Sequence, residues 1–163
     1  MNFLKTALPA ACAAIILSAC AHHSHHAEHH PKADAAMQTT HTIASKYDFN
    51  HTVSRLETAV KAKGMTVFAV IDHQAAAQKD GLTMQPAKVI IFGTPKAGTP
   101  LMVKDPAFAL QLPLKVLVTE TNGQTEVVFN DTRAIVYGSK ISYAEVENTL
   151  ANAEKLIRAT VSQ

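Results

Sequence analysis

From Thr40 onward the sequence predicts a compact domain of mixed α and β structure, and three observations carry that prediction. Two nearly continuous apolar runs, Met65–Ile71 and Ala87–Phe92, have strand length and stop at turn-forming residues, Asp72-His73 and Gly93. Val116–Thr121 and Thr125–Phe129 flank Asn122-Gly123, the dipeptide that best tolerates the positive φ angles of a tight hairpin. Val146, Leu150, Ala153, Ile157 and Val161 recur at helical spacing and form a stripe for a closing helix.

Taken in order, His41–Phe49 predicts a first strand. Val53, Leu56 and Val60 then recur at helical spacing, with Asn50 or Thr52 able to cap the start and Gly64 suited to the left-handed position past the end. The runs 65–71 and 87–92 read as buried strands, because neither alternates with polar residues. Between 93 and 100, Gly93-Thr94-Pro95-Lys96 and Ala97-Gly98-Thr99-Pro100 predict a shaped loop in which prolines set φ and glycines permit tight turns. The hairpin follows, and Ser142 with Glu145 makes a capping box for one long helix to the C-terminus. Tyr137 and Ile141 fall in a connection without a clear period.

The N-terminus carries a different message. Lys5 precedes an apolar stretch from Ala7 to Leu17 that is short for a bilayer span, and it closes on Leu17-Ser18-Ala19-Cys20. That tetrapeptide resembles the lipobox of bacterial lipoproteins, which implies cleavage before Cys20 and acylation of that residue. Residues 1–19 are then a signal peptide. Several buried acyl chains, at ~0.8 kcal/mol per CH₂, would hold the protein to a lipid bilayer. Ala21 after the cysteine, by resemblance to enterobacterial sorting, points to the periplasmic face of the outer membrane.

Processing removes Cys12 and lipidation consumes Cys20, so no cysteine remains for a disulfide or thiol chemistry. The formal charge of the chain is +2, with no stretch concentrating Lys or Arg, which excludes a nucleic-acid footprint. Residues 20–40 are polar, Ala-rich and His-rich without an apolar period, and predict a flexible tether with a span of ~25 Å. Its six histidines, His22, His23, His25, His26, His29 and His30, are candidate ligands for Zn, Ni or Cu, since imidazole suits all three ions. The same residues also serve a plain solvated spacer. Residues 41–163 are left for a single domain.

Three enzyme-like patterns fail on inspection. His26-Ala27-Glu28 lacks the cysteine pair of a zinc deaminase, and no His-Glu-x-x-His is present. Gly93 and Gly98 have phosphate-loop spacing, but Thr99-Pro100 stands where that loop needs its lysine and hydroxyl.

The middle of the chain resembles the bacterial family of domains of unknown function numbered 302. The residues that carry the resemblance are Thr52 to Glu57, Gly64-Met65, Ile71-Asp72-His73, Met84-Gln85-Pro86, Phe92 to Lys96, Gly98 to Met102 and Leu110 to Lys115. They appear in order between His51 and Asp131; Thr94, Gln111 and Thr132 depart from the family pattern. The resemblance implies an α+β fold: a curved, mainly antiparallel sheet with two principal helices packed on one face, similar to TATA-binding-protein-like architectures. It implies no reaction.

Candidate ligand-binding residues are therefore chosen by chemistry. Asp72 and His73 stand where a strand ends, Pro95 and Lys96 lie in the shaped segment, and Met102 offers a thioether. Met65 and Met84 are further thioethers, with flexible core filling as their plainer role. The leading expectation is a non-enzymatic envelope lipoprotein that binds a small ligand or a partner, with a metal-capturing tether. One alternative is a small envelope enzyme using His73 as general base, with Lys96 or Lys115 positioning an anionic substrate. Another is a purely structural homodimer built by pairing edge strands.

Overall fold

The computed structural model describes residues 39–163. The expected signal peptide, Cys20 and the six tether histidines lie outside the described residues.

Strand β1 (Thr40–Ala44) is shorter than the expected span, because the chain turns at Lys46-Tyr47 and Phe49 opens helix α1 (Phe49–Ala62). The cap is Asp48, not Asn50 or Thr52: its carboxylate accepts the His51 N–H at 2.9 Å. Thr52 instead is buried, with its hydroxyl 2.7 Å from that of Ser45. Phe49, Val53, Leu56 and Val60 form the buried face of α1, and Gly64 takes the left-handed conformation past its end.

Strand β2 (Thr66–Asp72) leads into helix α2 (His73–Lys79), and β3 (Ala87–Gly93) into helix α3 (Pro95–Lys104). The segment expected as a loop at 93–100 is therefore mostly helical. Pro95 occupies the first turn, where its missing N–H costs nothing, and Gly98 is buried so tightly that a Cβ there would lie 3.2 Å from Leu112 Cδ1. A 3₁₀ turn (Pro106–Leu110) and a cis Leu112-Pro113 bond precede β4 (Leu114–Thr121). Asn122 and Gly123, both at positive φ, turn the chain into β5 (Gln124–Asn130), as the dipeptide predicts.

The last third contains three helices: α4 (Thr132–Val136), α5 (Tyr143–Val146) and α6 (Leu150–Ser162). The capping box of Ser142 and Glu145 is present but starts the single turn of α5, and the expected long helix is interrupted at Glu147–Thr149. Lys104 donates to Glu145 at 2.6 Å, tying α3 to α5. That bond and the donors of Ser142 hold the Glu145 carboxyl down at about 2.

The five strands form one antiparallel sheet in the order β1-β5-β4-β3-β2. Helices α1 and α6 pack on the face that carries Ile90, Phe92, Val116, Val118, Val127 and Phe129, all buried with them in one cluster. A second cluster, from Leu101 and Phe108 to Val146 and Leu150, fills the end of the sheet where α3, α4 and α5 meet. The expected buried character holds for β3 but not for β2, which is an edge strand exposing Phe68, Val70 and Ile71. A continuous apolar run does not reveal how many of its neighbours are strands, and β2 has one.

Candidate functional site

A cleft of about 560 Å³ opens at the seam between the two core clusters. Three local features build it. The pairing of β2 with β3 shifts register between Val67 and Ala69, so Phe68 is the extra residue of a bulge and its ring lines the cleft. Helix α3 supplies Pro95, Lys96, Gly98, Thr99 and Met102 along one wall. The interruption between α5 and α6 places Thr149 and Leu150 opposite, with Ala153 below them on α6.

Leu112, Pro113 and Leu114 complete the lining, which is mostly carbon. The lining residues with polar side chains are Thr94, Thr99, Thr149 and Lys96, the last being the ionisable residue among them. Thr94 makes no side-chain cap bond to α3. Pro100 has no N–H to offer the Lys96 carbonyl, so that helical bond is also missing.

The structure thus brings together Pro95, Lys96 and Met102, with Met65 beside them. Asp72 and His73 lie elsewhere. Asp72 caps α2, accepting the Ala75 N–H at 2.9 Å, and stands 3.3 Å from Lys88 Nζ. The Ala75 N–H bond, with Lys88 assisting, holds its carboxyl below the usual aspartate value. His73 is the exposed first residue of α2. Met84 is also outside the cleft; its carbonyl accepts from the Gln74 amide at 3.1 Å.

A second constellation was not legible in the sequence. His41 of β1, Asp131 before α4 and Glu154 of α6 converge, with His41 Nε2 2.8 Å from Asp131 Oδ2 and 2.7 Å from Glu154 Oε1. All three are partly buried. Burial acts to raise the Asp131 carboxyl, but the Ala134 N–H, His41 and the Arg133 N–H outweigh it and hold it below the ordinary value. His41 is 90 residues from Asp131, and no local spacing signals such a meeting.

An antiparallel sheet with helices packed on it and an apolar cleft at one end defines a small α+β domain. The model for "Domain of unknown function DUF302" matches residues 41–160, and the chain belongs to that family. A crystal structure of an uncharacterized conserved DUF302 protein from Bacillus stearothermophilus shares the fold. Its TM-score is 0.64 at 24% identity, over 77% of this chain and 97% of that one. Two curated relatives are the proteins named fluoride-specific ion channel FluC 1 of Brucella suis biovar 1 and FluC 2 of Brucella melitensis biotype 1. Each is 36% identical over 91 residues, which is 55% of this chain. The match covers 36% and 34% of them, so the chain spans about a third of the length of these relatives, and the channel name is theirs. Among the described residues no helix is long and apolar enough to cross a membrane.

Proposed function

We propose that this chain is a lipid-anchored protein of the bacterial envelope whose DUF302 domain binds, without transforming, a small apolar molecule bearing an anionic group. The cleft carries this reading. Its volume of about 560 Å³ lies in the range of small-molecule sites, ~300–1,000 Å³, and its carbon-rich lining with a few polar groups is the composition such sites share. Apolar walls remove the body of a ligand from water, and Lys96 supplies one positive charge for its head. Proton transfer needs a base within hydrogen-bond reach, and His73 stands outside the cleft, so the geometry favours binding over the enzyme alternative.

Dodecanoate is a suitable probe, read by displacement of a fluorescent naphthalene sulfonate. Thr99→Trp, at an exposed position on the cleft wall, should weaken dodecanoate by about tenfold or more with little change in thermal stability. Lys96→Ala should weaken dodecanoate but leave dodecanol unaffected. Undiminished dodecanoate binding by Thr99→Trp would remove the cleft as the site.

The anchor rests on Leu17-Ser18-Ala19-Cys20. Cys20→Ser should release the protein from the membrane fraction or block its maturation; normal processing with intact attachment would overturn the lipoprotein reading. The His-rich tether, in this proposal, gathers Zn, Ni or Cu near the bilayer. A homodimer is the second reading, favoured by one observation: the edge strand β2 leaves Phe68, Val70 and Ile71 exposed.

A further inference from the structure

We propose that His41, Asp131 and Glu154 form a divalent transition-metal site of the zinc class, at the point where the N-terminal segment enters the sheet. It shares no residue with the lining of the apolar cleft or with the tether histidines. The three ligand atoms, one imidazole nitrogen and two carboxylate oxygens, all lie within 4.8 Å of one another. They come from three elements, β1, the start of α4 and α6, so the fold and not local sequence assembles them.

The arrangement is better suited to a cation than to the hydrogen bond it now contains. Nε2 of His41 can carry one hydrogen, yet two carboxylate oxygens face it at 2.8 and 2.7 Å. One proton cannot point well at both. A dication in its place would satisfy both carboxylates and accept the imidazole lone pair, with the displaced proton leaving to solvent. Zinc bonds of ~2.0–2.2 Å would space tetrahedral ligand atoms roughly 3.4 Å apart. The two separations from His41 Nε2, 2.8 and 2.7 Å, need to open by only about 0.6–0.7 Å, within reach of small side-chain rotations.

The outer oxygens are already held. Asp131 Oδ1 accepts the backbone N–H groups of Arg133 and Ala134 at 2.8 and 3.0 Å, and Glu154 Oε2 accepts the Thr132 hydroxyl at 2.8 Å. These donors leave Oδ2 and Oε1 aimed at His41, the second layer that orients ligands in metal sites. The two carboxylate charges balance a dication. Arg158 is the opposing charge, but its Nη2 is 3.4 Å from Glu154 Oε1, beyond the ~2.7–2.9 Å of a strong charge-assisted bond. Three protein ligands leave a coordination position open.

The test uses the full chain with His22, His23, His25, His26, His29 and His30 all replaced by Asn, which leaves His41, His51 and His73 as its histidines. Calorimetric titration with Zn²⁺ alone should show one ion per chain, and the ion should raise the melting temperature, because it binds the folded state. Glu154→Gln and Asp131→Asn, the latter keeping a good helix cap, should each weaken binding by about tenfold or more. His41→Gln should abolish it, and His51→Ala and His73→Ala should leave it unchanged. If His41→Gln does not fold, Glu154→Gln decides. Absence of one-to-one binding in the parent, or equal affinity in Glu154→Gln, overturns the proposal, whatever the cleft binds.

Discussion

Phe92→Ala is expected to lower the unfolding free energy by about 3–5 kcal/mol, a large share of the ~5–15 kcal/mol that stabilises an ordinary domain. Phe92 has no exposed surface. It lies on β3, paired with Val67 on one side and Leu114 on the other, beneath the helices. Truncation leaves a hole bounded by strands on both sides, and a hydrogen-bonded sheet cannot collapse to fill it. His73→Ala, at an exposed helix start, should stay within about 0.5 kcal/mol. Urea denaturation followed by circular dichroism compares the two, and equal midpoints for Phe92→Ala and His73→Ala would contradict this account of the core.

Leu114→Ala should cost about 2 kcal/mol, the low end for a leucine truncation, and it should widen the cleft. Leu114 packs against both hydrophobic clusters, so its loss weakens the junction between them. It is only partly buried because one side faces the cleft, and less apolar area is returned to water than at a sealed position. A longer apolar anion should therefore gain affinity in this variant as stability falls. A urea midpoint shift as large as that of Phe92→Ala would show that Leu114 is sealed in the core.

The parts of the fold legible in sequence are those decided by neighbours in the chain. Asn122-Gly123 needed only its own dihedral preferences to specify the hairpin, and Ser142 with Glu145 needed only one turn of helix. The segment 93–100 shows the opposite case. Two prolines and two glycines read as a loop, yet Pro95 fits a first helical turn and Gly98 lets Leu112 approach the helix backbone, a contact from across the fold. The Thr94-Pro95 pair was the local signal for that helix, and the glycines obscured it.

The candidate site divides in the same way. Pro95, Lys96 and Met102 line one cleft because they belong to one segment whose residues stay together however it folds. Phe68, Thr149 and Ala153 carry no such local signal, because a bulge and a break between helices bring them to the same cleft. Asp72 and His73 illustrate the converse, adjacency without partnership: the aspartate is spent on the Ala75 N–H and Lys88.

By itself the sequence determined the α+β class, the hairpin, the apolar faces of the first and last helices and the family, since local periodicity, turn chemistry and ordered motifs specify them. Only the tertiary structure decided that β2 is an edge, that the cleft opens between two core clusters, and that His41 meets Asp131 and Glu154. Those outcomes depend on strand order and on contacts between distant segments, which are set by the free energy of the whole packed arrangement and leave no mark in any short window of residues.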